Sequence, residues 1–181
     1  MDMLEKWHDF FLILGAAAGT LIGSMFVVVS IASGVIRGGE LTSRIFVTPT
    51  IIHLAVVLLG CALVLVPTLT PPELGYLALA GGIVFLAYAG RNVFHIAGRR
   101  AVEWSDHLWY GLCPLVAYLV MIGGAVMLLI GHAGAIETIG LALGLLIAAG
   151  IRNAWDLILF FLERQGTAHE AQNNGGTGPV A

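Results

Sequence analysis

Phe10-Phe11-Leu12-Ile13-Leu14-Gly15-Ala16-Ala17-Ala18-Gly19-Thr20-Leu21-Ile22-Gly23-Ser24-Met25-Phe26-Val27-Val28-Val29-Ser30-Ile31-Ala32-Ser33-Gly34-Val35-Ile36 contains no charged residue. A helix rises about 1.5 Å per residue and a bilayer's hydrocarbon is roughly 30 Å thick, so about 20 apolar residues suffice to cross it. The stretch exceeds that length. It is also too long for the apolar core of a signal peptide, and the acidic start Met1-Asp2-Met3-Leu4-Glu5-Lys6 has no small-residue cleavage site after it. The segment is therefore expected to stay in the membrane.

Four further apolar segments follow, at residues 45–69, 74–90, 110–130 and 136–151; the second of these continues as a more polar helix to Arg100 and the last amphipathically to Arg164. Of the 181 residues, 59% are hydrophobic and 10% charged, against about 25% charged in a soluble domain. Mean hydropathy is +0.95. The expected fold is thus all-α, a polytopic integral membrane bundle in one domain, residues 1–164. Its five transmembrane helices are expected at about 9–36, 45–69, 73–100, 110–131 and 135–164. Turns are expected at residues 37–40, at the proline-rich 67–72, at 98–106 and at the tight 131–134. The tail 165–181 lacks apolar periodicity and is expected to be disordered. Cys61 and Cys113 each lie alone in an apolar run and read as small buried hydrophobes, without disulfide or metal-finger spacing.

With five crossings, one side carries Lys6 alone, and the other carries Arg37, Arg44, Arg91, Arg99, Arg100, Arg152 and Arg164. The positive-inside rule then puts the N-terminus outside and the C-terminus in the cytoplasm. The outer side also carries Asp2, Glu5, Asp9, Glu73 and Glu137. Asp9, Glu73 and Glu137 at its helix starts form an acidic face that would gather cations if repeated around an oligomer. A faint repeat links Ala89-Gly90-Arg91-Asn92 with Ala149-Gly150-Ile151-Arg152-Asn153, so that helices two–three and four–five read as related hairpins in parallel.

Gly15, Gly19 and Gly23 recur every fourth residue on the first helix, and Gly140 and Gly144 repeat the spacing on the fifth. Such a stripe serves close packing within one chain, packing between protomers of a homo-oligomer, or the wall of a narrow pore. Arg91, Asn92 and His95 form one polar cluster; Arg152, Asn153 and Asp156 form another, with Arg152 and Asp156 spaced to pair along the helix. At membrane depth such residues serve a structural network, snorkelling, or an ion or substrate pathway. His53 lies inside the second run and reads as a hydrogen-bonded buried histidine, or as a proton relay or pH sensor. Paired at matched depth with His95, it would also suit the axial ligation of a b-type haem.

Trp7-His8-Asp9-Phe10-Phe11, leading into a Gly/Ala-rich first helix, resembles the start of small uncharacterised bacterial inner-membrane proteins. The resemblance covers about the first 35 residues and implies a bacterial inner-membrane location but no activity. Neither G-x-x-x-x-G-K-[ST], H-E-x-x-H nor G-x-S-x-G occurs, so no catalytic residue is named and the chain is expected not to be an enzyme. The leading functional expectation is an oligomeric pore or ion pathway without cofactor or metal, in contact with membrane lipids and not with nucleic acid. The alternatives are an accessory subunit of a larger membrane complex and a haem redox protein.

Overall fold

In a computed structural model of the chain, residues 3–33, 40–97 and 107–174 are described. Among them there are five helices and no strand: α1 Met3–Ser33, α2 Glu40–Val64, α3 Pro71–Ala97, α4 Cys113–Leu129 and α5 Ala135–Asn174. A π-helical turn, His107–Leu112, runs directly into α4. Four helices are long and apolar enough to cross a membrane, at Lys6–Ile31, Val47–Val64, Pro71–Val93 and Ala135–Leu159; α4 is apolar but shorter, at 17 residues.

Hydrocarbon offers the backbone no hydrogen-bond partner, so every apolar run must satisfy its own N–H and C=O groups, and the helix does so locally. The ends differ from expectation by a few residues. α1 and α2 begin about five residues early, α1 because the helix formers Met3, Leu4, Glu5 and Lys6 precede Trp7, while α2 stops at Val64, short of residue 69, because Pro67 cannot continue the helix. The largest difference is at α5, which continues past residue 164 to Asn174, into the stretch expected to be disordered. That extension contains Ala168, Glu170 and Ala171 and no proline, so an established helix propagates through it. The expected turns at 37–40 and 98–106, with Arg37, Arg99 and Arg100, lie wholly or almost wholly outside the described residues, as does 175–181.

α1 and α2, α2 and α5, α3 and α4, and α4 and α5 pack antiparallel, whereas α1 and α5 run parallel, with Phe10 against Gly140. Gly15 and Gly19 of α1 face Cys61 and Leu58 of α2; Gly60 of α2 faces Leu143, and Gly150 of α5 faces Leu54. Gly75 and Gly82 of α3 face Leu129 and Ile122 of α4. The order across the bundle is α3, α4, α5, α2, α1, with α1 folding back onto α5. The start of α1 and the α2–α3 and α4–α5 turns therefore share one end, the turn end; Arg91 and Arg152 lie toward the opposite end. α4 and α5 form a packed hairpin. α2 and α3 do not, although only a short turn separates them: they touch little. The expected matching pair of hairpins is thus present for one pair only.

α5 is the central helix, with 56% of its span buried, against 17% for α1. Its own Leu143 and Leu146 are fully buried, as are Phe11 of α1, Leu54 of α2 and Tyr118 of α4. The turns carry familiar end devices. Thr70 caps α3: its N–H and hydroxyl donate to Glu73 Oε2 at 2.8 and 2.7 Å, with Pro71 in the first helical position. α4 is followed, after its C-cap Ile130, by Gly131, whose φ of +72° glycine adopts without strain. Gly131 N–H donates to Leu128 O and His132 N–H to Met127 O, which closes the last turn.

Candidate functional site

Most of the bundle interior is apolar. The described polar and charged residues that are fully buried are Thr50, His53 and Asn153, together with the phenol of Tyr118. His53 and Tyr118 meet: His53 Nδ1 lies 2.7 Å from the Tyr118 hydroxyl, with 2% of His53 and none of Tyr118 exposed. Each stands eleven residues from the turn end of its helix, Val64 or Leu129, hence about 17 Å in, near the middle of a bilayer-sized bundle. The bond has two forms. When Tyr118 donates, Nε2 carries the imidazole proton; when the hydroxyl accepts, Nδ1 carries it. α3 completes the surroundings: the Phe85 ring stacks on Tyr118 at 5.9 Å and 21°, and the Tyr88 ring lies edge-on to His53 at 6.3 Å.

Directly above this pair, toward the turn end, the separation of α2 from α3 leaves a cavity of about 190 Å³. α2 and α3 wall it, and Met121, Ile139 and Leu143 of α4 and α5 close its back. Gly60, Gly81 and Gly82 supply part of the space. The deepest lining residues on α2 and α4 are Val56 and Met121, one helical turn above His53 and Tyr118. Phe85 belongs to both places, since it lines the cavity and stacks on Tyr118. An apolar cleft between helices thus ends on an aromatic floor with a hydrogen-bonded polar pair beneath it. Concave apolar sites with a few convergent polar groups are the usual form of a small-molecule site in a bundle.

The residues singled out from sequence are scattered around this centre. Arg152 pairs with Asp156 one turn on, as the spacing required. Asn153 is buried, Asn92 is half-buried and Arg91 is exposed. The clusters at Arg91 and Arg152 sit on α3 and α5, which both pack on α4 and scarcely on each other, so they do not merge into one site. His95 lies twenty-four residues along α3, about 36 Å from the turn end and roughly 20 Å beyond the level of His53. The two histidines do not share the depth that axial ligation of one haem demands. The His95 side chain lies outside the described residues. No group of three or more His, Cys, Asp or Glu suited to a metal occurs among the described residues.

Asp9, Glu73 and Glu137 are all exposed near the turn end, with Glu73 also serving as the α3 cap. The glycine stripe is largely used inside the chain. A Cβ on Gly15 would lie 3.1 Å from Cys61 Cβ, and one on Gly140 would lie 3.2 Å from the Phe10 ring; Gly23 and Gly144 have open space. The opening Trp7-His8-Asp9-Phe10-Phe11 packs by its aromatics: Trp7 meets Phe10 edge-on at 5.2 Å, Phe10 meets Phe11 at 5.3 Å, and Phe11 is fully buried.

Thr50, Phe85, Tyr88 and Tyr118 carry no sequence motif. The available signal was unpaired chemistry: a tyrosine inside an apolar run needs a hydrogen-bond partner, and so does His53. Equal distance from a common end of the bundle would have matched Tyr118 to His53. Comparison with protein-family models, curated proteins and solved structures gives no match.

Proposed function

We propose that this chain is a non-catalytic, multi-pass membrane protein that holds a lipid-soluble, largely apolar molecule in the cleft between α2 and α3. The observation that carries this reading is the 190 Å³ cavity left where two consecutive helices fail to pack. In this reading α4, lengthened by the π-helical turn, is the fifth crossing, and the positive-inside rule then favours the turn end outside and the arginine-bearing end in the cytoplasm. The Trp7-His8-Asp9-Phe10-Phe11 resemblance suggests a bacterial inner membrane. Apolar side chains alone do not draw a ligand out of lipid, because the tails are equally apolar. Selection rests on fit to the cleft walls and on the polar pair below them.

Gly81 offers the test. It lines the cleft, and an added Cβ there meets nothing within 4 Å. Gly81→Leu is expected to fill the space without a clash and to gain about 1 kcal/mol of helix propensity. The variant should melt higher than the wild type in detergent and lose an apolar molecule that native mass spectrometry detects on the wild type. Equal retention of that molecule by both proteins removes the cleft as its site.

A second reading, the ion pathway shared between copies, draws on the open space beside Gly23 and Gly144. Subunits would close around a symmetry axis, with Asp9, Glu73 and Glu137 at the outer mouth and Arg91, Arg152 and Asp156 at the inner one. It predicts conductance in planar bilayers; silence across pH, voltage and membrane tension eliminates it.

A further inference from the structure

We infer that the cleft selects a molecule with a hydroxylated aromatic ring on an apolar tail, the ring displacing Phe85 from the face of Tyr118 and its hydroxyl joining the His53–Tyr118 hydrogen bond. This rests on the reading of the cleft as a ligand site and adds the chemistry of the ligand's head.

Three observations converge on it. Phe85 shows what the face of Tyr118 accepts: a six-membered ring stacked at 5.9 Å and 21°. Phe85 is also the boundary between cleft and polar pair, half-buried where Tyr118 is wholly buried. A rotation of this one side chain would join the cavity to the pair one helical turn below. A planar ring can replace it because parallel offset stacking is favourable for aromatic faces generally.

The polar pair supplies what a bare hydrocarbon chain cannot use. A hydroxyl has one donor and two acceptor lone pairs, and Tyr118 commits one of these to His53 Nδ1. If Tyr118 donates to His53, it can still accept from the ligand's hydroxyl. If it accepts from His53, its own proton can go to the ligand's oxygen. The two tautomers of His53 thus let the pair satisfy a phenolic hydroxyl in either role. Tyr88, edge-on to His53, bounds the same space from α3. The tail then lies toward the turn end between Leu59, Leu63, Leu77 and Ala78.

The test compares 4-octylphenol with octylbenzene, which share the tail and ring and differ in one hydroxyl. Binding is measured on the full chain in nanodiscs, corrected for partition into empty nanodiscs. The phenol should bind roughly fivefold to tenfold tighter than the hydrocarbon, the fold-change of one net hydrogen bond. In Tyr118→Phe the preference should fall to about one. In Phe85→Ala, which opens the floor, the phenol preference should rise. Equal binding of both probes to the wild type overturns the inference and leaves the cleft reading intact. Binding of neither probe, or unchanged binding of both to Gly81→Leu, overturns the cleft reading as well. Should Tyr118→Phe fail to fold, Phe85→Ala decides: an unchanged preference overturns the inference.

Discussion

Gly124→Leu is expected to keep α4 and α5 from closing on each other and to lower the melting temperature in detergent more than any other single substitution considered for this chain. A Cβ at Gly124 would lie 2.9 Å from Ile139 Cγ1 and 3.1 Å from the Ile139 backbone nitrogen. A side chain can turn away; a helix backbone cannot, so the helices must part. In hydrocarbon there is little hydrophobic drive to hold them together, and close packing carries the association. Overpacking a tight site costs about 1–3 kcal/mol. Gly124→Ala recovers up to about 1 kcal/mol of helix propensity and should be the milder change. Leu adds three more carbons at the same spot and should reach or pass the top of that range. Gly123 supplies the control on the adjacent residue: it is exposed, with open space around an added Cβ, and Gly123→Leu should melt near the wild type. Equal melting temperatures for the two Leu variants would contradict the close α4–α5 approach.

The second large effect concerns the buried pair. Tyr118→Phe leaves the ring in place and removes the hydroxyl from His53 Nδ1. A buried polar group deprived of its partner costs about 1–3 kcal/mol. His53→Leu orphans the hydroxyl in the same way. Replacing both by apolar groups of similar shape should restore much of the loss, because no polar atom then lacks a partner. Thermal unfolding of the two single variants and the double variant should therefore be non-additive, with a coupling of about 1–3 kcal/mol between the positions. Additive losses would mean that the 2.7 Å contact contributes nothing of its own.

Particular residues show how far the sequence could be followed. The apolar runs announced five helices, and the turn at residues 131–134 was legible because Gly131 takes a conformation that other residues avoid. His53 was legible as a buried histidine in need of a partner. Tyr118 was not legible as that partner, because sixty-five positions separate the two and no local pattern joins them. Arg152 and Asp156 paired as expected, since one helical turn settles their distance. Arg91 and Arg152 looked alike in sequence yet lie on helices that scarcely touch, because α4 packs against both. The glycine spacing was visible, but whether Gly15 met another chain or Cys61 of its own depended on where α2 lay.

Hydropathy and turn chemistry alone determined that the chain forms apolar helices, because a backbone in hydrocarbon must bond to itself within each segment. The tertiary structure alone decided that α2 turns its face to α5 and away from α3, which opens the cleft and seats His53 against Tyr118. The reason is physical: which helices become neighbours depends on a few close approaches, such as Gly150 on Leu54 and Gly82 on Ile122, between residues far apart in the chain.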